Sequence, residues 1–262
     1  SISVWQREHV SVNFDEATPV KLLDPEGSAG DQLGNWGGPA LSPDGLIIVA
    51  ASQYDDNKGT DSGLVLVWER ANLSNSFVHL IPTKLSDPEG KAEDKLGFGG
   101  PFLSRSGLIL AVASPGDDSM ATDAGSVLIW ERSNRATSFA DVLPIKLLDP
   151  DGAEGDNLGR GRPALSENGL ILAVGSPNDD DKGPDSGSIL VWERTGTSIS
   201  FAAVTPIKLV DPSGSQQDYL GAKGCTLSSN GCVLASASTW DDEMGSDSGS
   251  VSVWEVRNAG CE

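Results

Sequence analysis

A tryptophan recurs at Trp5, Trp68, Trp130, Trp192 and Trp254, at spacings of 63, 62, 62 and 62 residues, and most neighbouring residue types recur with it. The chain is therefore four copies of one unit, and a period of this size belongs to propellers, solenoids or arrays. The unit built on Trp130 and Trp192 has apolar runs at 125–132, 139–147, 158–166 and 170–177, with a polar loop after the first and acidic loops after the second and fourth.

Each unit reads as four strands. Residues 127–130 and 170–174 are short, apolar and β-branched, as expected of strands buried on both faces. The run ending Pro144-Ile145-Lys146-Leu147 alternates, and its proline and lysine return as Pro19/Lys21, Pro82/Lys84 and Pro206/Lys208. Proline removes a ladder donor and a recurring lysine suggests a wet face, so this segment is expected at the edge. Polar three-residue links closed by Gly45, Gly107, Gly169 and Gly231 join the first and second strands as hairpins. The expectation is an all-β propeller of four-stranded antiparallel blades. Its repeat units are about 1–61, 62–124, 125–186 and 187–248, with an extra strand at 249–256. That pattern implies 17 strands, one more than a four-bladed ring needs. Either the ring closes by lending residues 17–23 to the last blade, or it stays open and another chain completes it, or the chain is a piece of a longer propeller.

With 31 glycines, 15 prolines and 38% hydrophobic residues, the composition suits a turn-rich β protein. No apolar run approaches the roughly 20 residues that cross a bilayer, so membrane insertion is not expected. A chain that opens on Ser1, without a leader-like segment, fits a processed secreted protein or an excised fragment. In a four-stranded meander the links after the second and fourth strands emerge on one face. Here those links carry 27 of the 38 acidic residues and only four lysines, a formal −23, leaving +3 elsewhere. Such a face repels nucleic acid and attracts divalent cations, a basic protein or a cation-rich surface.

The order Asp156-x-Leu158-Gly159, an apolar strand ending Gly175-Ser176-Pro177, an acidic loop, then Asp185-Ser186-Gly187-Ser188 resembles the FG-GAP repeat of integrin α-chain propellers. Leu33, Leu96, Leu158 and Leu220 stand where that family has phenylalanine, and the resemblance covers all four units. It implies an extracellular or cell-surface protein that serves adhesion or ligand binding. The family's calcium loop between first and second strands is absent, since that link has only three residues here.

A different cation site is suggested by the loop after the second strand. Its carboxylates recur as Asp55, Asp56 and Asp61; Asp117, Asp118 and Asp123; Asp179, Asp180 and Asp185; Asp241, Asp242 and Asp247. Clustered carboxylates suit Ca2+; the competing reading is that these aspartates bond their own backbone in a recurring turn. Asp31, Asp94, Asp156 and Asp218 are expected to brace the entry to each first strand.

The recurring tryptophans are expected between blades, whereas Trp36, Tyr54, Tyr219 and Trp240 break the repeat beside the acidic loops and are the candidate ligand contacts. A protein, a glycan or a cation-rich surface would be the partner, and the alternative to an adhesion module is a structural subunit forming homo-oligomers or filaments. Cys225 and Cys232 flank a hairpin link and are expected to form a disulfide or to stand as two buried thiols, leaving Cys261 unpaired. Asn72-Leu73-Ser74 is a glycosylation sequon. His9 and His79 lie outside the repeat, and no nucleophile elbow or phosphate loop accompanies them. No enzyme activity is expected, because a catalytic pair should occur once and the carboxylate pairs occur in every unit.

Overall fold

The computed structural model describes residues 1–7 and 9–255. Its strands are β1 (Ile2–Val4), β2 (Val20–Leu22), β3 (Ala40–Leu41), β4 (Ile47–Ser52), β5 (Leu64–Glu69), β6 (Thr83–Leu85), β7 (Phe102–Leu103), β8 (Ile109–Ser114), β9 (Ser126–Glu131) and β10 (Ile145–Leu147). They continue as β11 (Ala164–Leu165), β12 (Ile171–Ser176), β13 (Ser188–Glu193), β14 (Ile207–Leu209), β15 (Leu220–Leu227), β16 (Val233–Ser238) and β17 (Ser250–Glu255). All pairing among them is antiparallel between sequence neighbours: a half-blade β1–β2, three complete blades β3–β6, β7–β10 and β11–β14, and a last blade β15–β17. The helical elements among the described residues are 3-10 turns at Phe14–Glu16, Phe139–Asp141 and Phe201–Ala203. None is long and apolar enough to cross a membrane.

The third strand explains the repeat. Trp130 packs with Ile47, Val49, Val65 and Val67 of the preceding blade, and Trp192 repeats the arrangement against Ile109, Ala111, Val127 and Ile129. Burying such a ring removes 150–250 Å² from water, roughly 4–6 kcal/mol of gross hydrophobic stabilisation each. The ring is open. Val20–Leu22 pairs with Ile2–Val4, not with β17, so the last blade has no fourth strand among the described residues. Among the described residues no preceding blade covers Trp5 of the half-blade, which is 49% exposed.

Three expectations need correction. In each complete blade, unlike the last, where β15 runs the full length, the first strand is shorter than the apolar run: only Ala164–Leu165 of residues 158–166 form a ladder. The glycines before it press instead on the neighbouring blade, and a Cβ on Gly37, Gly99 or Gly161 would overlap the backbone of Gly100, Gly161 or Gly224. Within residues 139–147 only Ile145–Leu147 is strand, the rest opening as a 3-10 turn. Lys21 of β2 is exposed, but the lysine of that edge strand in the complete blades does not keep a face wet. Lys146 and Lys208 are only 16% and 20% exposed, because each is drawn onto buried aspartates.

Candidate functional site

The acidic loops form one constellation at every blade junction. Around β7–β10, Asp87 follows β6, Asp94 precedes the entry to β7, Asp117 follows β8 and Lys146 lies on β10. Asp87 and Asp117 each accept from their own loops, through Glu89 N at 2.9 Å and Ser119 N at 2.7 Å. Their other oxygens meet Lys146 Nζ at 2.7 and 2.6 Å. Asp94 Oδ2 accepts Lys91 N at 2.7 Å, which is the bracing role expected of it, while its Oδ1 is buried without a hydrogen-bond partner. The next junction repeats the set: Lys208 lies 3.0 Å from Asp149 and 2.6 Å from Asp179, beside Asp156. Lys84 meets Asp24 at 2.8 Å in the first junction. In the last, where no lysine-bearing strand follows, Ser252 Oγ donates to Asp211 at 2.8 Å instead.

Burial away from water lifts the Asp94 and Asp156 carboxyls to about 6. Burial also pushes Asp117 upward, but the Lys146 ammonium and the Ser119 hydrogen bonds outweigh it and hold this carboxyl below the usual value. Asp87, Asp94 and Asp117 offer oxygens within 4.8 Å of one another, as do Asp149, Asp156 and Asp179, so these buried clusters could hold a metal ion. The lysine ammonium already supplies positive charge to two of the three carboxylates in each. This is a different grouping from the one the loop sequence suggests. Asp56, Asp118, Asp180 and Asp242 are exposed, and their Oδ1 atoms accept the N–H of Asp61, Asp123, Asp185 and Asp247 at 2.7–2.9 Å. Those four acceptor-loop residues sit at φ between 51 and 57°, a left-handed conformation aspartate tolerates. The loop thus splits: its first aspartate (Asp55, Asp117, Asp179, Asp241) turns inward and its other two brace the turn.

The second constellation does not recur. Trp36 and Phe98 stack with centroids 5.4 Å apart, and Tyr219 meets Trp240 edge to face at 5.1 Å. Between them lies a cavity of about 510 Å³ whose lining also includes Arg160, Arg162 and Lys223. It sits where the entries to the innermost strands β3, β7, β11 and β15 converge on the acidic-loop side. The first unit has one extra residue between Gly34 and Pro39, and Trp36 there takes φ 56° and remains 68% exposed. A bulky left-handed residue is disfavoured by about 1 kcal/mol, so packing alone does not explain this ring. Three of the four aromatic residues that break the repeat therefore meet in one place. Tyr54 does not line the cavity and stands half-buried. Phe98 and the three cations were missed in the sequence; the signal available was that Arg160 and Lys223 replace Phe98 and glycine of the other units.

On the opposite face Arg132 has no exposed side chain. It donates to Gly107 O, Thr137 O and Glu69, and its guanidinium lies 4.2 Å from the Phe139 ring centroid. Arg194 repeats this with Glu131 and Phe201. These latches, also unrecognised in the sequence, tie the second and third complete blades to the blade before each. Asn72 of the sequon is exposed, its Oδ1 accepting Ser74 N at 2.9 Å. The expected Cys225–Cys232 disulfide is not formed: Cys225 is a free thiol and Cys232 is disulfide-bonded without it. The register puts Cys225 opposite Ser236 and Leu227 opposite Leu234, so Cys232 lies beyond the ladder in the hairpin link. Burial pushes the Cys225 thiol up to about 12. Cys261 lies outside the described residues.

No protein-family model matches the chain, and no curated protein matches it. Among solved structures it is similar to Kuenenia stuttgartiensis hydrazine synthase, with a TM-score of 0.50 and 15% identity, over 84% of this chain and 59% of that one. It is also similar to the β-propeller domain of Myceliophteria thermophila Cps50 (Swd1), with a TM-score of 0.49 and 13% identity, over 84% of this chain and 50% of that one. The chain thus spans between half and three-fifths of the length of these solved chains. At such identities the likeness concerns the fold alone.

Proposed function

We propose that this protein is an extracellular, non-enzymatic binding propeller of the adhesion type, and that it takes its ligand at the mouth of the axis on the acidic-loop face. The observation that carries the reading is the convergence of Trp36 of the first repeat with Tyr219 and Trp240 of the fourth on one cavity. What recurs in a repeat protein is scaffold, and binding rests on what differs between repeats. The FG-GAP-like order of its loops supports the adhesion class, and the surrounding carboxylates favour a partner that tolerates or seeks negative charge. Trp36→Ala and Trp240→Ala should abolish ligand capture from a glycan or peptide array while leaving the circular dichroism spectrum unchanged, because both rings are more than half exposed. Unaltered capture by both variants, with loss on changing Asn134 or Thr197, would move the site to the opposite face.

A second reading, self-assembly, is favoured by one observation. Val251 and Val253 are 66% and 55% exposed, whereas Val127 and Ile129 at the same repeat positions are covered by the next blade. A second copy offering its Trp5 face would complete that contact, and mass in solution over a range of concentrations tests it. In either reading, Ca2+ would be held by the buried aspartate clusters, whose oxygens lie within 4.8 Å of one another.

A further inference from the structure

The cavity has a charge that its surroundings do not. In a chain of formal charge −20, its lining includes Arg160, Arg162 and Lys223 and no carboxylate. The protein elsewhere pairs its buried cations: Arg132 and Arg194 meet glutamates, and Lys146 and Lys208 meet aspartates. Arg70, buried without an ion pair among the described residues, is instead satisfied by Gln6 and the Gly45 and Asn75 carbonyls, whereas the half-buried Arg162 has neither a carboxylate nor such a set of acceptors. Among the described residues Arg162 makes no ion pair, its Nε donates to Pro101 O at 3.0 Å, and its guanidinium stands 5.7 Å from the Phe102 ring centroid. Burial lowers its affinity for a proton with no neighbouring carboxylate to restore it. Arg160 has only the Asn178 amide, at 3.5 Å, and Lys223 has no partner among the described residues.

The open ring explains why the lysine is there. Its repeat equivalents Gly37, Gly99 and Gly161 are each pressed against the backbone of the following blade, and only glycine fits. At the fourth position no further inner strand stands among the described residues, so a long side chain is allowed, and a cation occupies it. A positive centre within a strongly acidic rim is selective by size as well as sign. An extended polyanion would meet the rim carboxylates, whereas a small monoanion reaches the centre, about one Debye length being 8 Å at physiological salt. The stacked and edge-to-face aromatic pairs supply flat apolar walls for a ring. A volume of about 510 Å³ is enough for one or two sugar-sized rings.

Resting on the binding role given above, we infer that the axial cavity binds a small ring-bearing carboxylate, its anionic group held by Arg162, Lys223 and Arg160 and its ring laid against the Trp36–Phe98 and Tyr219–Trp240 pairs. A sugar acid and an aromatic acid share that chemistry, and the test separates them. Sodium glucuronate against glucose, and sodium benzoate against benzamide, are titrated into the whole chain by calorimetry, with tryptophan fluorescence as a second readout. At least one anion should bind ten-fold or more tighter than its neutral counterpart, and which anion does so identifies the source. Lys223→Gln, at an exposed position that leaves the fold intact, and Arg162→Gln should each weaken the anion about ten-fold or more and leave the neutral compound unaffected. Equal binding of acid and neutral compound, insensitive to Lys223→Gln but lost in Trp240→Ala, would overturn the anion inference and leave the cavity as the binding site. No heat and no quenching with any of the four would overturn the inference and the axial site together.

Discussion

At the scale of single residues, the aspartates are not equivalent, although the sequence spaces them alike. Asp118 and its counterparts hold a turn, Asp117 neutralises a lysine, and Asp94 is buried with one oxygen unpartnered. Asp94 has a folded-state pKa of about 6 against an ordinary 3.8, so it titrates in the opposite sense from a paired carboxylate. A raised value means that its contribution to stability is complete below about pH 4 and is lost as pH rises through 6. Asp94→Asn, which keeps the acceptor for Lys91 N, should therefore raise stability at pH 7 by about 1 to 3 kcal/mol and change it little at pH 4. Melting curves at the two pH values check this. If the cluster binds calcium instead, Asp94→Asn will be destabilising in millimolar calcium, and chelator will lower the melting temperature of the unaltered chain.

At the scale of elements, each complete blade is joined to its neighbour by the tryptophan, by the arginine latch on one face and by the lysine–aspartate cluster on the other. Removing one ion of a buried pair leaves an uncompensated charge, at a cost of about 3–5 kcal/mol. Lys146→Met should lose about that much at pH 7, since it strands Asp87 and Asp117, and Asp87→Asn in the same chain should recover part of it. A double-mutant cycle in denaturant measures the coupling; simple additivity would show that the contact contributes nothing. Arg132→Ala should lose a similar amount, because the same side chain fills the space over Phe139 and satisfies Gly107 and Thr137 carbonyls.

For the whole molecule, one repeat position has two environments. Val127 is fully buried against the next blade and Val251, its counterpart, is 66% exposed. Val127→Asp should unfold the protein by burying an unpaired carboxylate, whereas Val251→Asp should change stability by less than about 0.5 kcal/mol, as an exposed substitution does. Equal damage from both, measured by chemical denaturation of dilute protein, would mean that the last blade is covered in solution and the ring is not open as described.

The period, the four-stranded blade and the order of its strands were legible because they follow from local chemistry: β-branched runs, hairpin glycines and an edge proline recur in register with each tryptophan. The burial of Trp68, Trp130 and Trp192 followed for the same reason, since a large apolar ring on a central strand has only the adjacent blade to pack on. Chemistry that links residues of different units was not legible. Lys146 reads locally as a solvated edge residue, and only the stacking of blades shows that it reaches Asp87, 59 positions earlier. Trp36 and Trp240 could be singled out as breaks in the repeat, but their meeting at one cavity with Arg162 and Lys223 depends on the curvature of four blades about an axis. Periodicity specifies what each copy does alike; the tertiary structure alone decides which of the unlike residues come together, because their distances are set by packing angles that no single unit encodes.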